Sequence, residues 1–260
     1  MLLCVSTFYR PELDESINTL KQMKLNLEPY DNIFLVSRNT DEHYKIELST
    51  IGKIIEFDSD MSVGDMRRLA LEVIIDEDVN HAMVSDLDRL LFMVSTDSGR
   101  FNRFIRHDIN KHDFYMFFRR DNGTYPIQQF LTEQMIANMV NLISDNFSVV
   151  DVSTAMRIVS NDMAKFLLKH SKVSGFEIDM EWFLIADVLG KGLYNIGYNV
   201  VPGANWEHPF FDEQIYDDER HENEYIDFKR KREKDIDDWQ HRINLLQRTC
   251  ELVRRFKDEY

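Results

Sequence analysis

The chain has 260 residues with 46 acidic against 31 basic side chains, giving a formal net charge of −15 and a pI near 4.9. That balance excludes a general nucleic-acid binder, which must neutralise phosphates with Lys and Arg, and it opposes docking on an anionic membrane surface. With 43% hydrophobic and 30% charged residues, 9 Gly and 5 Pro, the composition is globular; disorder and collagen-like repeats are excluded, and one large domain with or without an appendage is expected.

Cys4 and Cys250 lie at opposite ends of the chain with no metal-ligand spacing. They read as two unlinked thiols in a reducing, cytoplasmic protein. No apolar run approaches the 18 residues of a membrane span, and Met1 to Phe8 lacks the basic start and long apolar stretch of a signal peptide. At most peripheral membrane association is expected.

The opening MLLCVSTF reads as a short buried strand that stops at the polar turn YRPE. Ile17, Leu20, Met23 and Leu27 then mark one face of a helix from Asp14 to Leu27. NIFLVSRN from Asn32 repeats the strand-then-polar-turn form, and Lys53 to Phe57 is a third strand. Met61 to Asp76 is a loop entering an amphipathic helix, and HAMVSDLD, residues 81–88, is a fourth strand ending in acids. Strands alternating with helices predict a mostly parallel, doubly wound α/β sheet. Ligands of such sheets sit at the carboxyl ends of the strands, where strand order reverses.

The second half is less regular. FYMFFRR, Phe114 to Arg120, reads as a buried strand delivering two arginines to the turn DNGTYP. A helix follows over Gln128 to Ile143, a short strand near Ser148 to Val152, and helices over Ser160 to His170 and Met180 to Leu189, the last closed by Gly190 and Gly192. YNIGYNVVP is a further strand before the loop GANWEHP. The organisation expected is a catalytic domain over 1–211, an acidic connector over 212–228 and an amphipathic helix over 229–260. In that helix Ile236, Trp239, Ile243, Leu246, Cys250 and Val253 alternate spacings of three and four. The seam predicts either packing back on the domain or helix pairing in a homodimer.

Asp86-Leu87-Asp88 is the most pointed chemical feature. Two carboxylates at alternate positions of a strand end point the same way, and their hard oxygens suit Mg²⁺ or Mn²⁺ bridging two phosphates. In so acidic a chain an Asp-x-Asp pair also arises by chance at turns. Further segments supply context: Arg67 and Arg68 at the start of the helix before the acidic strand, Arg119 and Arg120 at a strand end, Asp179 and Glu181 at a helix start, and His208 in a loop. A lone loop histidine, an Arg pair or an N-capping Asp is ordinarily structural; jointly they define a candidate site.

Together, the opening strand with YRPE, then SRNTDE, GDMRRLA, SDLDRLL, DVSTAMRIVS and GFEIDMEWFLIADVLGKGLYNIGYNVVPGANW resemble a family 2 type glycosyltransferase of the GT-A fold. The branch most similar is that of dolichyl- or polyprenyl-phosphate sugar synthases. The resemblance spans residues 1–209. It implies a nucleotide-diphosphate sugar donor, UDP- or GDP-linked, and a phosphate- or hydroxyl-bearing acceptor. Asp86 and Asp88, with His208, would hold Mn²⁺ or Mg²⁺; Thr7, Tyr9, Arg10, Glu12, Arg67 and Arg68 would surround the donor. Arg119 and Arg120 would lie near the acceptor, and Asp179 would stand where inverting relatives carry the acceptor-activating carboxylate, with Glu181 beside it as the second catalytic candidate.

Two departures bear on that reading. The usual Asp-Asp-Gly-Ser after the second strand is replaced by Ser37-Arg38-Asn39-Thr40-Asp41, and Trp206-Glu207-His208 resembles relatives in which the histidine ligates the metal. Those relatives include retaining enzymes that glycosylate small acids such as phosphoglycerate. The alternatives are such a retaining transferase, or a catalytically silent scaffold dimerising through the C-terminal helix. Nucleotidyl transfer ranks below both, because YRPE lacks the Gly-rich loop that chemistry normally uses.

Overall fold

The computed structural model describes residues 2–8, 24–25, 27–117, 126–144, 155–199 and 229–259. Among the described residues seven strands form one sheet: β1 (Leu3–Phe8), β2 (Asp31–Ser37), β3 (Lys53–Phe57), β4 (His81–Asp86), β5 (Phe114–Phe117), β6 (Met156–Ser160) and β7 (Ile196–Asn199), in the order β3-β2-β1-β4-β6-β5-β7. All neighbours run parallel except β6, which is antiparallel to both β4 and β5. The helices are α1 (Glu42–Ser49), α2 (Val63–Asp76), α3 (Leu87–His107), α4 (Ile127–Val140), α5 (Asn161–His170), α6 (Ile178–Leu184) and α7 (Ile236–Glu259).

Alternation along the strands sends side chains to two cores, as the pleat requires. Leu3, Val5, Ile33, Leu35, Ala82, Val84, Met116 and Val159 face α2, α5, α6 and α7. Cys4, Phe34, Val36, Met83, Ile158 and Phe117 face α1 and α3. Burial on this second side pushes the Cys4 thiol far above its usual range, so it stays protonated and inert. The strand order reverses between β1 and β4: β2 and β3 wind to one side of β1, and β4 returns to the other. That is the position at which an open α/β sheet presents its ligand crevice.

The predicted mostly parallel, doubly wound sheet is therefore the observed one, with corrections at particular elements. The strand at Met156–Ser160 is one the sequence pattern did not reveal; the strand expected near Ser148 to Val152 lies outside the described residues, as does most of the segment read as a helix from Asp14. The acidic strand ends two residues earlier than its alternation suggested. Leu87 already begins α3, with Asp86 at its N-cap position, so Asp88 belongs to a helical turn and not to the strand. Residues 118–120 and 200–228, including the connector, also fall outside.

α7 packs on α4 and α6 of its own chain, by a face that keeps Val253 and, partly buried, Leu246 of the expected seam but is rotated away from the rest of it. Leu245, Thr249, Leu252, Val253 and Phe256 are buried, whereas Ile236 is largely and Ile243 partly exposed and Cys250 faces out. Polar pairing explains the rotation. Arg242 lies 3.5 Å from Glu133 and Arg248 lies 3.3 Å from Glu177, while Gln128 donates to the carbonyl oxygen of Arg232 and to Asp238. α4 accordingly turns Gln128, Thr132 and Glu133 inward and leaves Leu131 and Met135 partly exposed.

α2 starts at Ser62, whose hydroxyl accepts from the Asp65 backbone N–H, and its second residue is Gly64. Gly64 donates to the Ser174 carbonyl at 2.8 Å, and a Cβ there would stand 2.1 Å from the Val173 carbonyl oxygen. This contact is backbone against backbone and leaves no flexible atom to yield. Gly99 in α3, by contrast, has nothing within 4 Å of its virtual Cβ. Gly64→Ala is expected to cost about 2 kcal/mol or more through overpacking, whereas Gly99→Ala is expected to add up to about 1 kcal/mol through helix propensity. Urea unfolding midpoints of the two variants check the contrast.

Candidate active site

The carboxyl ends of β1 and β4 place Thr7 directly beside Asp86 in the parallel register. Both side chains fall on the α2 face of the sheet, in phase with Val5 and Val84. α2 buries Met66, Arg67, Ala70, Leu71 and Ile74 on one face. Arg67 sits in its first turns, so the aliphatic stem lies along the core and the guanidinium reaches the strand ends.

That guanidinium joins three elements. Its Nη1 lies 2.7 Å from Asp86 Oδ1 and donates to Thr7 Oγ1 at 3.3 Å, and its Nε is 3.8 Å from Asp179 Oδ1 at the start of α6. Arg67 is 3% exposed, and Asp86 and Asp179 are each 6% exposed. Ions this far from water lose several kcal/mol of hydration each, which only close pairing offsets. The separation of 3.8 Å marks the contact with Asp179 as an ion pair, not a hydrogen bond.

Arg157, the second residue of β6 and 1% exposed, is a second buried cation beside this group. Its Nη1 donates to the Met156 carbonyl at 2.7 Å and its Nη2 approaches the Asp179 backbone oxygen at 3.4 Å. Sequence reasoning passed over it. The signal was an arginine inside the otherwise apolar run Met156-Arg157-Ile158-Val159, since a buried strand seldom carries a charge without a partner.

Arg68 and Glu181 are placed elsewhere. Arg68 donates to the Val173 carbonyl at 2.8 Å and to Asp65 at 2.6 Å, bracing α2 against residues 171–174. Its guanidinium and the Ser62 hydroxyl hold the Asp65 carboxyl below its ordinary range, the hydroxyl contributing more. Glu181, expected to act in catalysis with Asp179, is fully enclosed. It accepts from Ser171 Oγ at 2.7 Å, from the Lys172 and Val173 backbone N–H groups at 3.0 and 3.2 Å, and from Arg255 Nη2 of α7 at 2.8 Å. A carboxylate whose lone pairs are all engaged inside the fold has none to offer a substrate. The two acids, two residues apart near the N-terminus of a single helix, take separate tasks because they point to different sides of it.

Thr7, Arg67, Asp86 and Asp179 are thus gathered at one crevice. Tyr9, Arg10, Glu12, Arg119, Arg120 and His208, and the side chain of Asp88, lie outside the described residues. Among the described residues no group of three or more His, Cys, Asp or Glu is placed to hold a metal ion. Asp86 already faces Arg67 at ion-pair distance; the hard oxygens of Asp86 and Asp88 and an imidazole are, as a donor set, suited to Mg²⁺ or Mn²⁺.

No protein-family model matches the chain, and no curated protein sequence does. Solved structures do match. The sheet and its flanking helices define the GT-A fold of nucleotide-diphospho-sugar transferases. The structures it resembles include glucosyl-3-phosphoglycerate synthase from Mycobacterium tuberculosis with Mn²⁺, UDP and phosphoglyceric acid, at a TM-score of 0.51 and 11% identity over 77% of this chain and 68% of that one. The same enzyme with Mn²⁺, UDP-glucose and phosphoglyceric acid matches at 0.52 and 12% over 77% and 69%. At such identities the likeness is one of fold.

The two acids of α6 are separable by experiment. Glu181→Ala leaves the Ser171, Lys172 and Val173 donors without their acceptor and Arg255 without its partner, and is expected to cost about 2–3 kcal/mol of stability. Arg255→Ala should recover part of that loss when combined with it, as coupled partners do. Asp179→Asn, which keeps the shape and removes the charge, is expected to cost less stability than Glu181→Ala, because Asp86 still pairs Arg67 at 2.7 Å, and to change ligand binding. Denaturant unfolding of the three variants, read beside ligand titration, distinguishes these roles.

Proposed function

We propose that this protein is a metal-dependent glycosyltransferase that moves a sugar from a nucleotide-diphosphate donor to a phosphate-bearing acceptor. The observation that carries the reading is the Arg67 guanidinium held against Thr7, Asp86 and Asp179 at the β1/β4 reversal of a GT-A sheet. In glycosyl transfer the departing diphosphate gathers negative charge, and preorganised cations beside it lower the barrier.

In this reading Thr7, Tyr9, Arg10 and Glu12 border the nucleotide, and Arg67 orients Asp86 toward the donor. Asp86, Asp88 and His208 hold Mn²⁺ or Mg²⁺, which supplies charge neutralisation for the diphosphate. Asp179, steadied by Arg67 and by the fixed backbone beside Arg157, faces the acceptor, with Arg119 and Arg120 pairing the acceptor's anionic group. Arg68 and Glu181 support the site from behind.

A small phosphorylated acid is the favoured acceptor, since the structures of like fold hold phosphoglyceric acid. The Trp206-Glu207-His208 run agrees with that choice. Polyprenyl phosphate, the acceptor of the branch that the sequence motifs resemble, is the second arm of the test.

Isothermal titration with UDP- and GDP-sugars, with and without Mn²⁺, tests the donor assignment. Binding that strengthens about tenfold or more with Mn²⁺, and loses that gain in Asp88→Ala, is the expected outcome. Failure to bind any nucleotide-sugar under either condition overturns the assignment and leaves a silent scaffold. Radiolabelled sugar transfer to 3-phosphoglycerate or to polyprenyl phosphate then decides between acceptors.

A further inference from the structure

At the opposite ends of β1 and β4 a cleft of ≈ 780 Å³ opens between the α2–β4 turn and the end of α3. The volume lies within the roughly 300–1,000 Å³ range of small-molecule sites. β4 runs from His81, on the cleft, to Asp86. Five residue steps of about 3.3 Å separate the two places by roughly 17 Å, so the cleft is distinct from the candidate active site.

Its walls are unusual for so charged a protein. Asp78 and Asn80 stand on one side, Asn102, Arg106 and Asn110 on the other, and the Tyr30 ring contributes to the buried floor. Asn102 is engaged, accepting from the Tyr30 hydroxyl. Among the described residues the side chains of Asp78, Asn80, Arg106 and Asn110 make no hydrogen bond or ion pair within the protein. Asp78 is also one of only two described non-glycine residues with positive φ, at 49°, a conformation that fixes its direction at the rim at some backbone cost.

The chemistry of this lining selects a ligand. One aspartate and one arginine cancel, so the cleft does not attract a net charge. A primary amide presents two N–H donors beside a carbonyl acceptor, and a carboxylate or guanidinium presents two parallel acceptors or donors. Neighbouring hydroxyls, each both donor and acceptor, match those pairs, and an apolar floor suits the C–H face of a pyranose ring. We infer that the cleft is a non-catalytic saccharide-binding site for a neutral oligosaccharide of two or three units. The inference does not depend on the glycosyltransferase reading, because none of these residues belongs to the active site.

The test uses the full chain, ¹⁵N-labelled, titrated with maltotriose, cellotriose and mannotriose while the side-chain amide resonances are followed by NMR. The expected result is a saturable shift of the Asn80, Asn102 and Asn110 amides with at least one trisaccharide. That shift should weaken about tenfold in Arg106→Ala and in Asn110→Ala, both exposed positions, and remain unchanged in Asp88→Ala. Absence of any saturable shift with all three sugars overturns the inference, as does binding insensitive to both cleft variants. Loss of nucleotide-sugar binding with trisaccharide binding intact would remove the proposed activity alone.

Discussion

The buried guanidinium of Arg67 is the constraint around which the site is organised. A cation that is 3% exposed must be met by anions, and the anions available come from β4 and α6. Those elements are remote in sequence, so their register against α2 is set by charge as well as by apolar packing. Apolar contacts tolerate small slips of a helix, whereas a buried ion pair loses much of its compensation when the separation grows in a low-dielectric surrounding. The pairing therefore fixes the crevice more sharply than the hydrophobic core beneath it would.

The same helices are braced a second time from behind. Gly64 and Arg68 bind α2 to residues 171–174, that segment donates to Glu181, and Glu181 takes Arg255 from α7. The C-terminal helix is thus tied through one carboxylate to the helix that carries Asp179. Burial of Leu252, Val253 and Phe256 contributes roughly 1.5–3 kcal/mol per fully buried side chain, and the three cross-element pairs of Arg242, Arg248 and Arg255 choose which face is buried. Hydrophobicity drives the docking, and polar complementarity decides its rotation.

Much of this was legible in the sequence because it depends on local pattern. Short apolar runs ending in polar turns located β1 to β4, and the amphipathic run within Met61 to Asp76 located α2. β6 was missed because Met156-Arg157-Ile158-Val159-Ser160 mixes a buried charge into a strand and runs directly into α5, which hides both boundaries. Asp88 was placed on a strand for a related reason: the alternation of HAMVSDLD continues in the letters after the backbone has turned helical. The Ile236 to Val253 seam matched the inward face only in part, at Leu246 and Val253, because an apolar heptad identifies a helix but not its inward face when polar partners compete for that face.

The sequence by itself determined the alternation of strands and helices and the run of acids and arginines near the end of β4, since each is written in spacing and composition. Only the tertiary structure decided that Asp179 joins Arg67 and Asp86 while Glu181, two residues on, turns away to Arg255. It also decided that Arg157 stands beside them. The physical reason is that compensation of a buried charge is a property of distance in space. Residues 67, 86, 157 and 179 become neighbours only when the reversal between β1 and β4 brings the ends of separate elements to one crevice.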